Sequence, residues 1–203
     1  EEELEDSFSK NAGSVSVSRN ASTAFKIHYT PERDDFRHLT TFILDSNAAL
    51  AAAKSCGVSL TVYLTSAMLL ALQRIQDEQT PDKRRQKPIR VVVPVNLRRL
   101  FPSRTLRNFV HVIMPEIDPR MGDYEFSEIL TSVKHQLGLL VTKKNLCAMF
   151  TPNVNAERSP LLRVMPLFLK NIAMKLVYDT VGERTNCLNL SNLGDIKVPD
   201  TMR

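Results

Sequence analysis

The first clear pattern of apolar and polar positions predicts a strand followed by a helix. Residues 36–44 are rich in β-branched and aromatic side chains, which favour a strand. Asp45 or Ser46 can cap an alanine-rich helix that ends near Cys56, and Gly57 is a natural residue just beyond its end.

A second helix follows directly. Ser59 or Thr61 can cap it, and its apolar positions continue to about Gln76. Because these positions cover most sides of the helix, we expect it to be central and buried. Its apolar part is too short for a membrane span.

Two further strands and a third helix are predicted after this pair. Residues 89–95 form a short continuous apolar run, typical of a strand covered on both faces, with Pro94 at an edge or bulge. Residues 108–117 predict another strand. Asp123 can cap a helix that begins at Tyr124.

The last part of the chain contains its most hydrophobic segment, residues 161–181. Charged and amide side chains recur along it, so we expect a core helix with a solvated basic stripe, and a membrane-surface helix is the alternative. Residues 186–196 predict a final strand. Strands and helices therefore alternate irregularly. This indicates an α/β or α+β two-layer domain in which helices cover a mixed sheet.

Composition places the chain among ordinary globular domains. It has 203 residues, 43% hydrophobic and 24% charged, which allows one domain or at most two small ones. Cys56, Cys147 and Cys187 are scattered and never form a C-x-x-C pair. Their number and spacing argue against a disulfide scaffold or a zinc site, and favour a reducing, cytoplasmic location.

The formal charge of +5 comes from one segment. Residues 83–115 contain nine basic and no acidic residues, which leaves 18 basic and 22 acidic residues elsewhere. Such a segment can be a solvated loop and strand edge, an anion site for phosphates, or a nucleic-acid surface. No recognised nucleic-acid motif is present and few aromatic residues are interleaved, so we expect no nucleic-acid partner.

Spacing alone identifies no catalytic apparatus. The four histidines never adjoin one another or a carboxylate at triad or metal-ligand spacing, and the six glycines never cluster as in a phosphate loop. His111 lies in a predicted strand and faces either the core or a cleft. We therefore expect no bound metal.

Three short motifs, taken in order, resemble a known family. Residues 94–98 read Pro-Val-Asn-Leu-Arg, residues 107–109 read Arg-Asn-Phe, and residues 191–194 read Ser-Asn-Leu-Gly. Their order is similar to that in the C-terminal half of the CoA-dependent acyltransferase superfamily. This superfamily has the chloramphenicol-acetyltransferase-like fold and includes peptide-synthetase condensation domains. The resemblance covers residues 36–198, and the alcohol acetyltransferase-like group is the most similar.

The resemblance implies particular roles for these residues. Ser191 and Asn192 would make tunnel or oxyanion contacts, and Asn96, Asn108 and Gly194 would shape the strand ends and turns. Acyl-CoA would be a co-substrate, with no permanently bound cofactor. The candidates for binding the CoA phosphates are Arg98, Arg99, Arg104 and Arg107.

One departure from the family changes the expected activity. The family signature His-His-x-x-x-Asp, which supplies the general base, is absent from these residues. Either the base lies in a missing N-terminal half, or the chain is a non-catalytic relative. The chain begins without Met and ends soon after a predicted strand, which favours the first interpretation. We therefore expect residues 1–35 to be a polar linker from that half and residues 36–203 to be a C-terminal lobe truncated at its end.

The expected function follows from this interpretation. The whole protein would move an acyl group, acetyl if it acts like the alcohol acetyltransferase-like group, from CoA to a small alcohol or amine. The partner of this lobe would be the N-terminal lobe of the same protein, and the lobe alone would be inactive. The alternative is a non-catalytic module that binds an acyl chain or an acyl-carrier protein.

Overall fold

The computed structural model describes residues 2–15, 22–30, 36, 38–160 and 164–192, and the fold is mixed α/β. The described residues form six α-helices and a small mixed sheet of four strands. The helices are α1 (Ser7–Asn11), α2 (Ser46–Ser55), α3 (Leu60–Gln79), α4 (Phe126–Leu140), α5 (Lys143–Arg158) and α6 (Leu167–Val177). The strands are β1 (Ile89–Asn96), β2 (Val110–Ile113), β3 (Glu116–Ile117) and β4 (Leu188–Asn189). The predicted combination of a mixed sheet with helices packed on it is confirmed.

The two helices predicted first begin and end as expected. Asp45 Oδ1 accepts a hydrogen bond from Asn47 N at 2.9 Å, and so caps α2. Gly57 follows that helix with a φ of 67°, a conformation that glycine adopts without strain. Ser59 Oγ accepts from Val62 N at 3.3 Å at the start of α3.

β1 is the central strand of the sheet. β2 and β3 both pair with it antiparallel and keep one common register. Pro115 lies between them, and its carbonyl oxygen still accepts a hydrogen bond from Val91 N at 3.2 Å. The strand predicted over residues 108–117 is therefore present as two short segments, because proline has no N–H with which to continue the ladder.

β4 pairs with β1 in the parallel sense. Cys187 N, just before β4, donates to Arg90 O at 2.9 Å. Among the described residues of the strand predicted over 186–196, regular pairing is limited to the two residues of β4. Residues 193–196 lie outside the described part of the chain.

The hydrophobic core lies between the sheet and the helices α3, α4 and α5. α3 packs on both β1 and α4, which makes it the central helix, as predicted. Its exposed side includes Ala67 and Ala71, so burial is confined to one face rather than to most sides. The largest buried core side chains include Leu69, Leu72, Ile89, Val91, Phe109, Ile129, Leu146 and Phe150.

Glutamine side chains tie α3 to three separate backbone segments. In each case the carboxamide donates to a backbone oxygen and accepts from the N–H of the same residue, with lengths from 2.9 to 3.3 Å. The pairs are Gln73 with Tyr124, Gln76 with Lys87, and Gln79 with His28. Each glutamine carboxamide makes the same two hydrogen bonds that a residue of a neighbouring strand would make. It therefore satisfies the N–H and C=O groups of a residue that has no strand partner.

Two stretches of the first thirty residues pack on this core. Phe8 of α1 lies edge-on against Phe109 and Phe150, with ring centroids 4.9 and 5.4 Å apart. Ala24 and Phe25 are buried. These stretches are folded against the domain, which the interpretation of residues 1–35 as a polar linker did not anticipate.

The strand predicted over residues 36–44 is wrong. Phe36 and residues 38–44 form neither helix nor strand. Their apolar side chains are exposed, with Leu39 at 86% and Ile43 at 95%. β-branched and aromatic composition favours a strand only where a partner strand is present, and the described sheet offers none to this stretch.

The predicted start of α4 is wrong by two residues. The helix begins at Phe126 after Glu125, whose N–H donates to Glu128 Oε2 at 2.8 Å. Asp123, the predicted cap, instead forms an ion pair with Lys83. The carboxylate of Asp123 therefore links the segment before α4 to the segment that carries Lys83, and it does not cap the helix.

The hydrophobic segment over residues 161–181 forms α6, but the helix is not buried. None of the residues of α6 is buried, and Leu167, Ile172 and Met174 are exposed by 72%, 57% and 66%. The prediction of a core helix is therefore wrong for the described residues, because the apolar side chains have no covering layer. Residues 161–163 lie outside the described part.

No single helix among the described residues is long and apolar enough to cross a membrane. α2 and α3 reach the required length and composition only when taken together, and the two are bent by 84°.

Candidate functional site

A groove of about 650 Å³ lies where the carboxyl end of β1 meets the amino end of α3. Residues of α4 and residues that follow β4 also line it. Most of its wall is apolar, and its polar side chains come from separate stretches of the chain. The lining residues are Ser59, Thr61, Val62, Val93, Pro94, Val95, Asn96, Arg99, Leu100, Leu137, Gly138, Val141, Leu190 and Asn192.

Three residues singled out in the sequence line this groove together. Asn96 ends β1, Arg99 follows it, and Asn192 follows β4. Because β4 runs parallel to β1, the carboxyl ends of the two strands reach the same end of the sheet. The parallel pairing therefore brings together residues that lie almost one hundred positions apart in the sequence.

Asn192 is exposed and reaches the start of α3. Its Nδ2 donates a long hydrogen bond to Thr61 Oγ1, with 3.4 Å between the two atoms. The carboxamide and the hydroxyl thus lie side by side at the mouth of the groove. Both are donors that can also accept, so the pair can bind a carbonyl oxygen or a hydroxyl group.

Asn96 sets the turn that carries the arginines. Its Oδ1 accepts from Arg98 N at 3.1 Å and caps the single 3₁₀ turn Leu97–Arg99. Leu97 is fully buried and anchors this turn in the core. The Asn96 cap and the buried Leu97 side chain both hold this turn in place. Arg99 therefore lies at the groove, and its side chain is exposed.

Arg98 has a different position from Arg99. Its Nη2 donates to Thr105 O at 2.9 Å and to Arg107 O at 2.6 Å. The guanidinium therefore braces the loop between β1 and β2. Arg98 is not among the residues that line the groove.

The other two candidate arginines also lie away from the groove lining. Arg104 and Arg107 are exposed in the loop. Arg107 lines a second cavity of about 380 Å³ together with Asp6, His111 and Glu157. The structure thus does not bring the four arginines predicted for CoA phosphates to one place, and Arg99 is the arginine that reaches the groove.

His111 lies in that second cavity and not in the groove. It is 8% exposed on β2, and its ring centroid lies 6.3 Å from that of Phe150 in an edge-on arrangement. The sequence left open whether His111 faces the core or a cleft. In the structure, His111 is buried and also lines a cavity.

The remaining motif residues are placed as follows. Ser191 precedes Asn192 in the chain and is exposed, but it is not among the residues that line the groove. Asn108 is exposed in the loop that precedes β2. Gly194 lies outside the described residues. Ser191 and Asn192 are therefore both on an accessible face, where another polypeptide or a ligand can cover them.

Part of the basic segment serves the fold itself. Arg90 is buried on β1, where its Nε pairs with Glu116 and its Nη1 donates to Ser22 O at 2.6 Å and to Thr185 O at 3.3 Å. Hydrogen bonds to several partners satisfy a buried guanidinium. The side chain of Arg90 is therefore used to join four segments rather than to bind an anion.

Lys83 is also neutralised within the chain. It forms ion pairs with Asp77, at 2.6 Å, and with Asp123. Burial is the largest single influence and lowers the pKa of Lys83, but the hydrogen bonds to Asp123 and Asp77 together raise that pKa above its ordinary value. The charge of Lys83 is therefore not available to a ligand in the groove.

The groove has the chemistry of a binding wall. Arg99 supplies a positive charge, and the polar groups of Thr61, Asn96 and Asn192 supply donors and acceptors. The described lining contains no histidine, cysteine or carboxylate that could take a proton. Within the described residues there is also no group of three or more His, Cys, Asp and Glu side chains that could hold a metal ion.

Two residues of the groove were missed by sequence reasoning. Thr61 was considered only as a possible helix cap, and its hydroxyl instead contacts Asn192. Gly138 of α4 lines the groove and was not singled out. A glycine within a strongly helical pattern was the signal that could have identified it, because such a position is unfavourable in a helix.

Comparisons of the chain with models of known protein families, with curated proteins and with solved structures gave no match in any of the three. The resemblance to acyltransferases therefore depends on the motifs at residues 94–98, 107–109 and 191–194 and on what their positions in the fold support.

Proposed function

We propose that these residues form the C-terminal lobe of an acyltransferase with a chloramphenicol-acetyltransferase-like fold. The enzyme would move an acyl group from CoA to a small alcohol or amine, and its general base would be a histidine of an N-terminal lobe. One observation carries the proposal: Asn96 of the first motif, Arg99 directly after it, and Asn192 of the last motif line the same groove.

Two groove residues, Asn192 and Arg99, have direct roles in the proposed reaction. A histidine of the other lobe removes the proton of the alcohol or amine, which attacks the thioester carbonyl and leaves a negative charge on its oxygen. The Asn192 carboxamide would donate a hydrogen bond to that oxygen, and the Ser191 hydroxyl is the second candidate donor. One such donor contributes about 3 kcal/mol to transition-state stabilisation. Arg99 would bind a phosphate of CoA.

Two exposed apolar stretches support a covering lobe. Leu39, Phe42 and Ile43 lie uncovered in the stretch before α2, and the residues of α6 are uncovered as well. Exposed apolar surface of this kind marks contact sites for protein or membrane. In the proposed enzyme the N-terminal lobe covers the groove and completes the active site, so the lobe described here has no turnover by itself.

The cellular location follows from the same chemistry. Cys56, Cys147 and Cys187 are all free thiols. Free thiols are typical of a reducing compartment, and acyl-CoA is an intracellular substrate. We place the proposed enzyme in the cytoplasm.

Calorimetric titration with CoA tests the proposal. We expect the chain to bind CoA and Arg99→Ala to weaken that binding about tenfold, because one charge-assisted hydrogen bond to phosphate is lost. Arg74→Ala is the matched control, since Arg74 is exposed on α3 and lies outside the groove lining. Absence of CoA binding, or equal effects of the two variants, would contradict the proposal.

A second candidate function is favoured by a different surface. A cavity of about 980 Å³ lies at the end of α6 and along β4, with Lys26, Tyr178 and Arg184 in its wall. An exposed apolar helix beside basic side chains suits a non-catalytic module that binds an acyl chain or the phosphopantetheine arm of an acyl-carrier protein. Titration with an acyl-carrier protein separates the two candidate functions. If the chain is the non-catalytic module, Arg184→Ala lowers its affinity for the acyl-carrier protein, and if it is the acyltransferase lobe, Arg184→Ala does not.

A further inference from the structure

Gly138 occupies a position where the fold does not require glycine. It lies in the last turns of α4, and a Cβ built at this residue meets no atom within 4 Å. Its backbone has no positive φ that would favour glycine. A glycine inside a helix makes the helix less stable than an alanine at the same position would. Neither packing nor backbone conformation therefore explains why this helix carries a glycine.

The missing side chain enlarges the apolar part of the groove. Gly138 lines the groove between Leu137 and Val141 of the same helix, and Val93 and Val95 of β1 line it as well. Any larger side chain at position 138 would project into open space at this wall. Gly138 is exposed and thus leaves this part of the groove wall without a side chain.

We propose that this apolar part of the groove holds an acyl chain several carbons longer than acetyl, and that Gly138 determines the chain length accepted. The inference rests on the proposed function, in which Asn192 binds the carbonyl end and Arg99 a phosphate. An acetyl group has a single methyl group and would contact only a small part of this apolar wall. Each additional methylene that is buried tightens binding about fourfold.

The test compares three ligands on the whole chain by calorimetry: CoA, acetyl-CoA and octanoyl-CoA. The wild-type chain is expected to bind octanoyl-CoA at least about tenfold tighter than acetyl-CoA. Gly138→Phe fills the apolar part and is expected to reduce the affinity for octanoyl-CoA to that for acetyl-CoA, with CoA binding unchanged. The matched control is Leu139→Phe, because Leu139 is 70% exposed on the same helix and does not line the groove.

A smaller substitution guards against misfolding. Gly138→Ala adds one methyl group where no neighbouring atom lies within 4 Å, so this variant is expected to fold and to cause a smaller loss for octanoyl-CoA than Gly138→Phe. Circular dichroism and thermal unfolding of both variants check their folding.

The outcomes separate this inference from the proposed function. If all three ligands bind and Gly138→Phe and Gly138→Ala leave the preference for octanoyl-CoA intact, chain-length selection by Gly138 is wrong and the acyltransferase proposal stands. If octanoyl-CoA binds no tighter than acetyl-CoA, a longer acyl chain is likewise excluded. If none of the ligands binds, the proposed function fails, and the inference that rests on it fails too.

Discussion

Asn192 Nδ2 lies 3.4 Å from Thr61 Oγ1, and this contact joins two parts of the chain separated by 131 positions. Asn192 follows the edge strand β4, whereas Thr61 lies in the first turn of the central helix α3. The contact therefore links the candidate oxyanion donor to the central helix. It is made at the surface, where a ligand can reach both groups.

Removal of the Thr61 hydroxyl tests whether this contact positions Asn192 for a ligand. Thr61→Val keeps the shape of the side chain and is expected to change the free energy of unfolding by about 0.5 kcal/mol or less, because Asn192 is exposed. Affinity for acyl-CoA should fall, and Asn192→Ala should add little further loss in the double variant. Calorimetry on the four proteins measures this coupling. Additive losses would show that the two side chains act independently.

Arg98 and Arg99 are adjacent, and we predict opposite consequences of their removal. Arg98→Ala leaves two loop carbonyls without their donor and should lower the free energy of unfolding by about 1–2 kcal/mol. Arg99→Ala should leave stability nearly unchanged, because the side chain is exposed, and should weaken CoA binding. Urea unfolding and CoA titration of both variants measure the two effects. A reversal of the pattern would place the phosphate at Arg98.

Asp118 is predicted to contribute stability that disappears in acid. Its hydrogen bond from Arg120 holds the pKa of this carboxyl below its ordinary value of 3.8. The contribution is therefore complete above that ordinary pKa and is lost as the pH falls through the lower pKa of the folded state. Urea midpoints should be measured from about pH 5 down to about pH 2.5. The difference in midpoint between Asp118→Asn and the wild type should shrink as the pH falls. Arg120→Ala should remove the same pH-dependent difference, and a constant gap at all pH values would contradict this assignment.

Cys187 is predicted to react slowly with alkylating reagents. Burial raises the pKa of its thiol, so less of the reactive thiolate is present near neutral pH. Cys56, by contrast, is exposed. Iodoacetamide treatment followed by peptide mass spectrometry should show Cys187 modified about tenfold more slowly than Cys56, with the difference removed in urea. Equal rates in the folded protein would show that Cys187 is accessible.

The elements that sequence predicted correctly are those specified by local signals. The Asp45 and Ser59 caps define the starts of α2 and α3, and the Gly57 turn separates them, because each interaction is made within a few residues. β1 was predicted from its continuous apolar run. These features depend on neighbours in the sequence and need no knowledge of distant partners.

The errors occur where distant partners decide the outcome. Residues 36–44 have strand-like composition but no described neighbouring strand, and α6 has an apolar surface but no covering layer. At the groove, the structure brings together Asn96, Arg99 and Asn192, which the sequence had singled out for separate roles. They did not reveal that Arg98 is bound by loop carbonyls, since that contact depends on the path of the loop.

An NMR titration of the chain with octanoyl-CoA tests the central claim most directly. If the groove binds acyl-CoA, the largest backbone and side-chain shift changes fall on the polar lining residues Thr61, Asn96, Arg99 and Asn192. Changes that instead centre on Arg107 and His111 at the second cavity, or no changes at all, would show that the groove is not the acyl-CoA site.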